Sequence, residues 1–108
     1  MKTITKLTLI ATVITTSSTM LTAASFNCAK AQTKVEHAIC DDKHLSTLDG
    51  EMGRLYKQIK APDWKKIHKN LVKMRNKEAG KYSDPTNYLI KWTKDQIKEL
   101  KREISLGG

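Results

Sequence analysis

The stretch that decides the fold is Phe26–Tyr56, which reads FNCAKAQTKVEHAICDDKHLSTLDGEMGRLY. Within it, Thr33 and Glu36 have the spacing of a capping box. In this motif the threonine side chain accepts a hydrogen bond from the backbone amide three residues later. The glutamate side chain in turn accepts one from the backbone amide of the threonine. The motif predicts a short helix that begins after Thr33. Two aspartates, Asp41 and Asp42, come next, and either side chain is placed to cap a second helix.

Helical spacing of apolar residues continues through the rest of the chain. In the second helix these residues are Leu45, Leu48, Met52, Leu55 and Ile59. In the third, after Ala61–Pro62, they are Trp64, Ile67, Leu71 and Met74. In the fourth they are Ile90, Ile97, Leu100 and Ile104, with Leu89 and Trp92 beside them. Such spacing places apolar side chains on one helix face, and no segment alternates like a strand. The sequence therefore predicts an all-α fold, a small bundle of one short and three longer helices.

The amino end has the pattern of a secretory leader. Lys2 and Lys6 precede the apolar run Leu7–Ile14, and the small residues 23–25 follow, with no acidic residue before Glu36. The run is shorter than the roughly 20 apolar residues that span a bilayer. We therefore predict a signal peptide over residues 1–25, cleaved after residue 25 or one residue earlier, and a single domain over residues 26–108. Because Phe and Asn precede Cys28, the product is expected to be periplasmic or secreted without a lipid anchor or transmembrane span.

The two cysteines remain after cleavage, and an even number in a short exported domain predicts a disulfide between Cys28 and Cys40. Closing a loop of this size contributes about 3 kcal/mol to stability. The alternative is a zinc site that adds His37 and His44 as ligands. The spacing of these four residues is not that of a standard zinc finger, and the oxidising environment outside the cytoplasm favours the disulfide. We therefore predict no metal, and a count of free thiols separates the two possibilities.

The same region resembles the LprI-type lysozyme-inhibitor N-terminal domain family. The residues that carry the resemblance are Phe26, Cys28, Ala29, Ala31, Val35, Glu36, Ala38, Ile39, Cys40, Leu45, Leu48, Asp49, Leu55 and Tyr56. Further on, Met74-Arg75-Asn76 and Gln96-Ile97-x-x-Leu100 are similar to landmarks of the family, although its two later cysteines are absent here. The resemblance implies an exported helical domain, and lysozyme binding is reported for a founding member.

Groups suited to catalysis are few. They are the three histidines and four carboxylates at His37, His44, His68, Glu36, Asp41, Asp42 and Asp49. Helix capping accounts for Glu36 and for one of the neighbouring aspartates. Oxidised cysteines offer no thiolate nucleophile. We therefore predict that the protein is not an enzyme and has no cofactor.

Positive charge is concentrated in the second half of the chain. The formal charge is +9, and removal of the leader with its two lysines lowers it to +7. On the predicted third helix, the side opposite the apolar stripe carries Lys65, Lys66, Lys69, Lys73 and Lys77. This asymmetry favours anionic partners such as lipopolysaccharide, phospholipids or wall polymers, although a lysine-rich face is also ordinary solvated surface. Nucleic acid is not an expected partner, because few aromatic residues lie among the lysines.

These observations predict an exported, non-enzymatic binding protein of the bacterial envelope. The family resemblance implies lysozyme inhibition as the specific function. Animal lysozymes are usually basic, so contact is expected through the acidic residues Glu36, Asp41, Asp42, Asp49 and Glu51. One alternative is a basic module whose lysine face binds anionic envelope components. Another is a small adaptor for an unknown envelope protein.

Overall fold

A computed structural model describes residues 24–107, so the predicted signal peptide lies outside the described residues except for Ala24 and Ser25. A short 3-10 turn at Cys28–Lys30 precedes four helices. They are α1 (Lys34–Asp41), α2 (Lys43–Gln58), α3 (Pro62–Ala79) and α4 (Thr86–Ser105). Residues 24–107 contain no strand, which confirms the predicted all-α fold. None of the helices in this part of the chain is both long and apolar enough to cross a membrane.

Local hydrogen bonds explain where α1 and α2 begin. The Thr33 hydroxyl accepts from the Glu36 amide at 3.1 Å, and the Glu36 carboxylate accepts from the Thr33 amide at 3.0 Å. This is the predicted capping box, and it satisfies amides that have no partner inside the helix. Asp42 caps α2 in the same way, because its carboxylate accepts from the Leu45 amide at 2.8 Å. The predicted capping of both helices is therefore confirmed.

The disulfide joins the segment before α1 to the last turn of that helix. Cys28 and Cys40 are bonded, with their Cα atoms 5.8 Å apart. The predicted pairing is confirmed, and neither sulfur is a free thiolate that could bind zinc. Among residues 24–107, no group of three or more His, Cys, Asp or Glu side chains is placed to hold a metal ion.

The core consists of two clusters along the paired helices α2 and α4. The first lies at the disulfide end and contains Ala24, Val35, Ile39, Leu45, Ala79 and Leu89. The second contains Met52, Ile59, Ile97 and Leu100, with half-buried Trp64 and Trp92 packed against it. The predicted face of α4 is buried at Ile97 and Leu100. Leu89, expected beside that face, is fully buried because the first cluster closes around it.

The orientation of α3 differs from the prediction. Ile67 and Met74, which the spacing places in the core, are 52% and 65% exposed. The buried residues of α3 are His68, Arg75 and Ala79. At about 100° per residue, this face lies roughly a quarter turn from the predicted apolar stripe.

Partners on α4 account for this orientation. The guanidinium of Arg75 lies over the Trp92 ring, 5.1 Å from its centroid. The Gln96 amide and Nδ1 of His68 are 3.3 Å apart. Both polar side chains thus find partners inside the bundle, and their apolar parts can pack there as well. Contacts across the bundle therefore determine which face of α3 is buried.

Candidate binding surfaces

The first candidate surface is an acidic recess of about 410 Å³ between α1 and the loop that precedes α4. We define it by its titratable residues, which are Lys34, His37, Asp41, Asp42 and Asp84. Three carboxylates face one lysine, so the recess is negative although the chain as a whole is positive.

Hydrogen bonds hold the two sides of the acidic recess together. The Lys34 ammonium donates to the backbone carbonyl groups of Gly80 and Tyr82, at 3.3 and 2.8 Å. On the loop side, the Asp84 carboxylate accepts from the amide and hydroxyl of Thr86, at 3.1 and 2.7 Å. These bonds hold the pKa of Asp84 below its ordinary value, with the hydroxyl contact as the larger cause. Asp84 is therefore an ionised part of the recess at neutral pH.

The predicted acidic contact residues do not form one surface. Asp41 and Asp42 line the recess, although Asp42 also caps α2. Glu36 is engaged in the capping box, and the hydrogen bonds that its carboxylate accepts from the amides of Gln32 and Thr33 lower its pKa. The carboxylate of Glu51 lies 3.3 Å from the ammonium of Lys101 on α4.

The burial of Asp49 corrects the prediction that this residue contacts a partner. It is only 2% exposed, so it is not part of a surface that another protein can reach. Its carboxylate accepts hydrogen bonds from the backbone amide of Ser25, at 2.9 Å, and from the hydroxyl of the same residue. Ser25 also lies against Gly53, where an added Cβ would be 2.7 Å from the Ser25 Cβ. A glycine at this position therefore allows the segment before the first cysteine to approach α2.

The second candidate surface is the basic face of α3, formed by the five predicted lysines. Lys66, Lys69, Lys73 and Lys77 are exposed, whereas Lys65 is half-buried with its ammonium 5.9 Å from the Tyr56 ring centroid. None of the ion pairs found within residues 24–107 includes a lysine of this face. The basic face thus carries positive charge that no carboxylate of the described residues neutralises at close range.

The third candidate surface is a groove of about 430 Å³ between α2 and α3, which we call the α2–α3 groove. Its apolar walls are Met52 and Tyr56 on α2 and Val72 on α3. Its charged groups are Asp49, Lys57, Lys69, Lys73 and Arg75, and Ser25, Gly53 and His68 complete the lining.

His68 is a buried side chain at the side of this groove, and its surroundings favour the neutral form of the imidazole. It is 5% exposed, and its ring lies 4.6 Å from that of Tyr56 and 6.3 Å from that of Trp64, measured between centroids. Burial lowers the pKa of His68, and the positive charge of Arg75 lowers it further. Since the neutral ring can accept at Nδ1, the Gln96 amide can donate to it.

In the sequence, His68 stands out only as a possible catalytic group and Arg75 only as part of the family resemblance. The sequence patterns identify neither of them, nor Asp84, as part of a binding surface. A signal for the first two is present, because residues seven apart lie on nearly the same face of a helix. For Asp84 the local pattern indicates only a turn. Its place beside Asp41 depends on how the loop packs against α1, which no local pattern encodes.

Comparison with known proteins gives no assignment. No family model, curated protein sequence or solved structure matches this chain. The proposed function therefore rests on the geometry of the three surfaces and on the resemblance of residues 26–56.

Proposed function

We propose that this chain is a non-enzymatic binding protein of the bacterial envelope that inhibits a lysozyme through the acidic recess. The observation that carries the proposal is the grouping of Asp41, Asp42 and Asp84 around a concave surface. Carboxylates in such a recess suit the lysine and arginine side chains of a basic protein. The resemblance of residues 26–56 to the lysozyme-inhibitor family supports the same partner class.

Net charge opposes an encounter with a basic lysozyme at long range, because this chain is also positive. Repulsion of this kind slows association, and salt screens it over about 8–10 Å. Attraction at the recess acts at shorter distance and depends on local complementarity. Association is therefore expected to be faster at physiological ionic strength than at very low ionic strength.

The test is binding of the mature protein to C-type, G-type and I-type lysozymes by calorimetry, with a charge-reversed variant. Asp41→Lys changes an exposed residue at the end of α1, where a positive charge also suits the helix dipole. Asp95→Lys makes the same change at an exposed position on α4, away from the recess. We expect at least a tenfold rise in Kd for Asp41→Lys and less than a twofold change for the control. Absence of a saturable complex with every class would overturn the proposal.

A second candidate function is binding of anionic envelope components by the basic face. It is favoured by the exposed lysines of α3 that have no ion-pair partner in the described part of the chain. Release of counterions should make such binding fall steeply with added salt. Binding to vesicles that contain phosphatidylglycerol should be lost in Lys66→Glu/Lys69→Glu/Lys73→Glu. The control Lys91→Glu/Lys94→Glu/Lys98→Glu carries the same charge change on α4 and should keep most of the binding. Equal losses in both variants would contradict a role for this face.

Export remains part of the proposal, and the contacts of Ser25 bear on where the leader is removed. Cleavage after Ser25 would delete its hydrogen bonds to the buried Asp49 carboxylate, whereas cleavage after Ala24 keeps them. We therefore favour Ser25 as the first mature residue. Intact-mass measurement of the exported protein tests this, and a mass that begins at Phe26 would contradict it.

A further inference from the structure

The α2–α3 groove combines apolar walls with an excess of positive charge. Its volume of about 430 Å³ lies within the range of roughly 300–1,000 Å³ that is usual for small-ligand sites. Met52, Tyr56 and Val72 form the apolar part. Such a groove can hold a hydrocarbon chain or ring, whose removal from water is the main gain in binding.

Arg75 is the least exposed cation in this groove. It is 6% exposed, and its Nε and Nη2 atoms both donate to the Asn76 side-chain oxygen, at 2.9 and 2.7 Å. Within residues 24–107 no carboxylate lies within ion-pairing distance of it. Burial lowers the pKa of Arg75, while the more distant charge of Asp49 acts in the opposite direction. A guanidinium buried without a paired anion is costly, so an anion entering the groove would relieve that cost.

The remaining charges of the groove also favour an anion. Lys57, Lys69 and Lys73 line it, and Asp49 is the one side-chain carboxylate that residues 24–107 contribute. That carboxylate already accepts two hydrogen bonds from Ser25, which occupy one of its oxygens. Ligands with a positive head would meet four cations and a single anion. The charge complementarity therefore selects a negative head group.

We propose that the α2–α3 groove binds a single-chain anionic amphiphile, a carboxylate that carries a medium-length hydrocarbon chain. Its head group lies among Lys69, Lys73 and Arg75, and its chain lies along Met52, Tyr56 and Val72. This proposal rests on the second proposed function, because Lys69 and Lys73 belong both to the groove and to the basic face. It deepens that function by naming a class of ligand. It differs in requiring a defined cavity and one ligand per groove.

Decanoate, below its micelle concentration, is the probe, and calorimetry on the mature protein is the measurement. Two matched compounds separate the contributions of head and chain. Decyltrimethylammonium has the same chain and a positive head, and butyrate has the same head and a short chain. We expect saturable one-to-one binding of decanoate, and affinity at least tenfold weaker for each of the other two.

Two charge-reversed pairs on one helix locate the site. Lys69→Glu/Lys73→Glu changes two exposed lysines that line the groove, and Lys66→Glu/Lys77→Glu changes two other exposed lysines outside it. We expect at least a tenfold loss of decanoate affinity in the first pair and less than a twofold loss in the second. Val72→Trp, which places a larger side chain in the groove, should also reduce the affinity at least tenfold while α-helical circular dichroism is retained.

Three results would overturn the groove proposal. They are no saturable binding of decanoate to the folded parent, equal binding of decyltrimethylammonium, or equal losses in the two lysine pairs. The last result would leave binding by the basic face intact. Conversely, decanoate binding in the groove together with no salt-sensitive binding to anionic vesicles would reject the second proposed function and keep the groove.

Discussion

At the scale of single residues, the buried charges Asp49 and Arg75 contact different neighbours. The first accepts hydrogen bonds from Ser25, and the second lies on Trp92 and donates to Asn76. Each therefore depends on a small set of contacts, because a buried polar group that loses its partner is strongly destabilising. Substitution at these positions should affect stability more than substitution of the exposed charges.

Asp49→Ala should lower the free energy of unfolding by about 1–3 kcal/mol, because it leaves the backbone nitrogen and the hydroxyl of Ser25 without their acceptor. Glu51→Ala removes a partly exposed ion pair with Lys101 and should cost no more than about 1 kcal/mol. Urea unfolding followed by circular dichroism measures both. If the two variants unfolded at the same urea concentration, the hydrogen bonds between Ser25 and Asp49 would not stabilise the domain as proposed.

His68 should make stability depend on pH below its ordinary pKa of 6.5. Burial and Arg75 lower the pKa of the folded-state imidazole, so below pH 6.5 the unfolded chain takes up a proton that the folded chain resists. The stability linked to this group is full above pH 6.5 and decreases as the pH falls towards the lowered folded-state value. Thermal unfolding of the parent and His68→Gln between about pH 7 and about pH 5 tests this sign.

The difference in melting temperature between parent and His68→Gln should shrink as the pH falls. His44→Gln changes an exposed imidazole at the start of α2 and is the matched control. Parallel curves for the parent and His68→Gln would contradict the assignment of a lowered pKa.

At the scale of elements, the disulfide and the caps explain how α1 is held. The bond between Cys28 and Cys40 ties its last turn to the preceding segment. Lys34 ties its first turn to the loop after α3 through two backbone carbonyl groups. The position of the acidic recess therefore depends on α1 keeping this place.

Loss of the disulfide should destabilise the domain by about 2–5 kcal/mol. Thermal melts of Cys40→Ser, and of Cys28→Ser/Cys40→Ser to avoid a free thiol, provide the measurement. Addition of a reductant should shift the parent to the same extent and leave both variants unchanged. A double variant that melted within a degree of the parent would show that the bond contributes little.

The exposed face of α3 gives a test of its orientation. Met74→Ser should change stability by no more than about 0.5 kcal/mol, because the side chain is 65% exposed. Leu89→Ala, at a fully buried position of α4, should cost about 2–5 kcal/mol. Chemical denaturation of both variants compares them directly. If Met74→Ser lowered stability about as much as Leu89→Ala, Met74 would be a core residue, as its sequence spacing predicts. That result would contradict the orientation of α3.

The elements that could be predicted from sequence are those determined by neighbouring residues. The capping box of Thr33 and Glu36 and the short disulfide loop are encoded within a few positions, and both are confirmed. The buried face of α3 could not be predicted in this way. It depends on Trp92 and Gln96, which lie on another helix and give Arg75 and His68 partners inside the bundle.

At the scale of the whole molecule, opposite charges lie on different parts of the surface formed by residues 24–107. The acidic recess contains Asp41 and Asp84, whereas the lysines of the basic face and the α2–α3 groove belong largely to α3. The charge asymmetry is evident in the sequence as a basic second half. The recess is not, because it combines Asp84 from that basic half with the acidic end of α1. Two partner classes can therefore be bound by separate surfaces.

The most direct test of the proposed function is muramidase activity on purified cell walls, with and without the mature protein. C-type, G-type and I-type lysozymes are assayed in parallel at low and physiological salt, with a basic protein of similar charge as control. We expect saturable, near-stoichiometric inhibition of one class, weakened by Asp41→Lys and unchanged by Asp95→Lys. Full activity of all three classes at saturating protein, or equal inhibition by the basic control, would contradict lysozyme inhibition through the acidic recess.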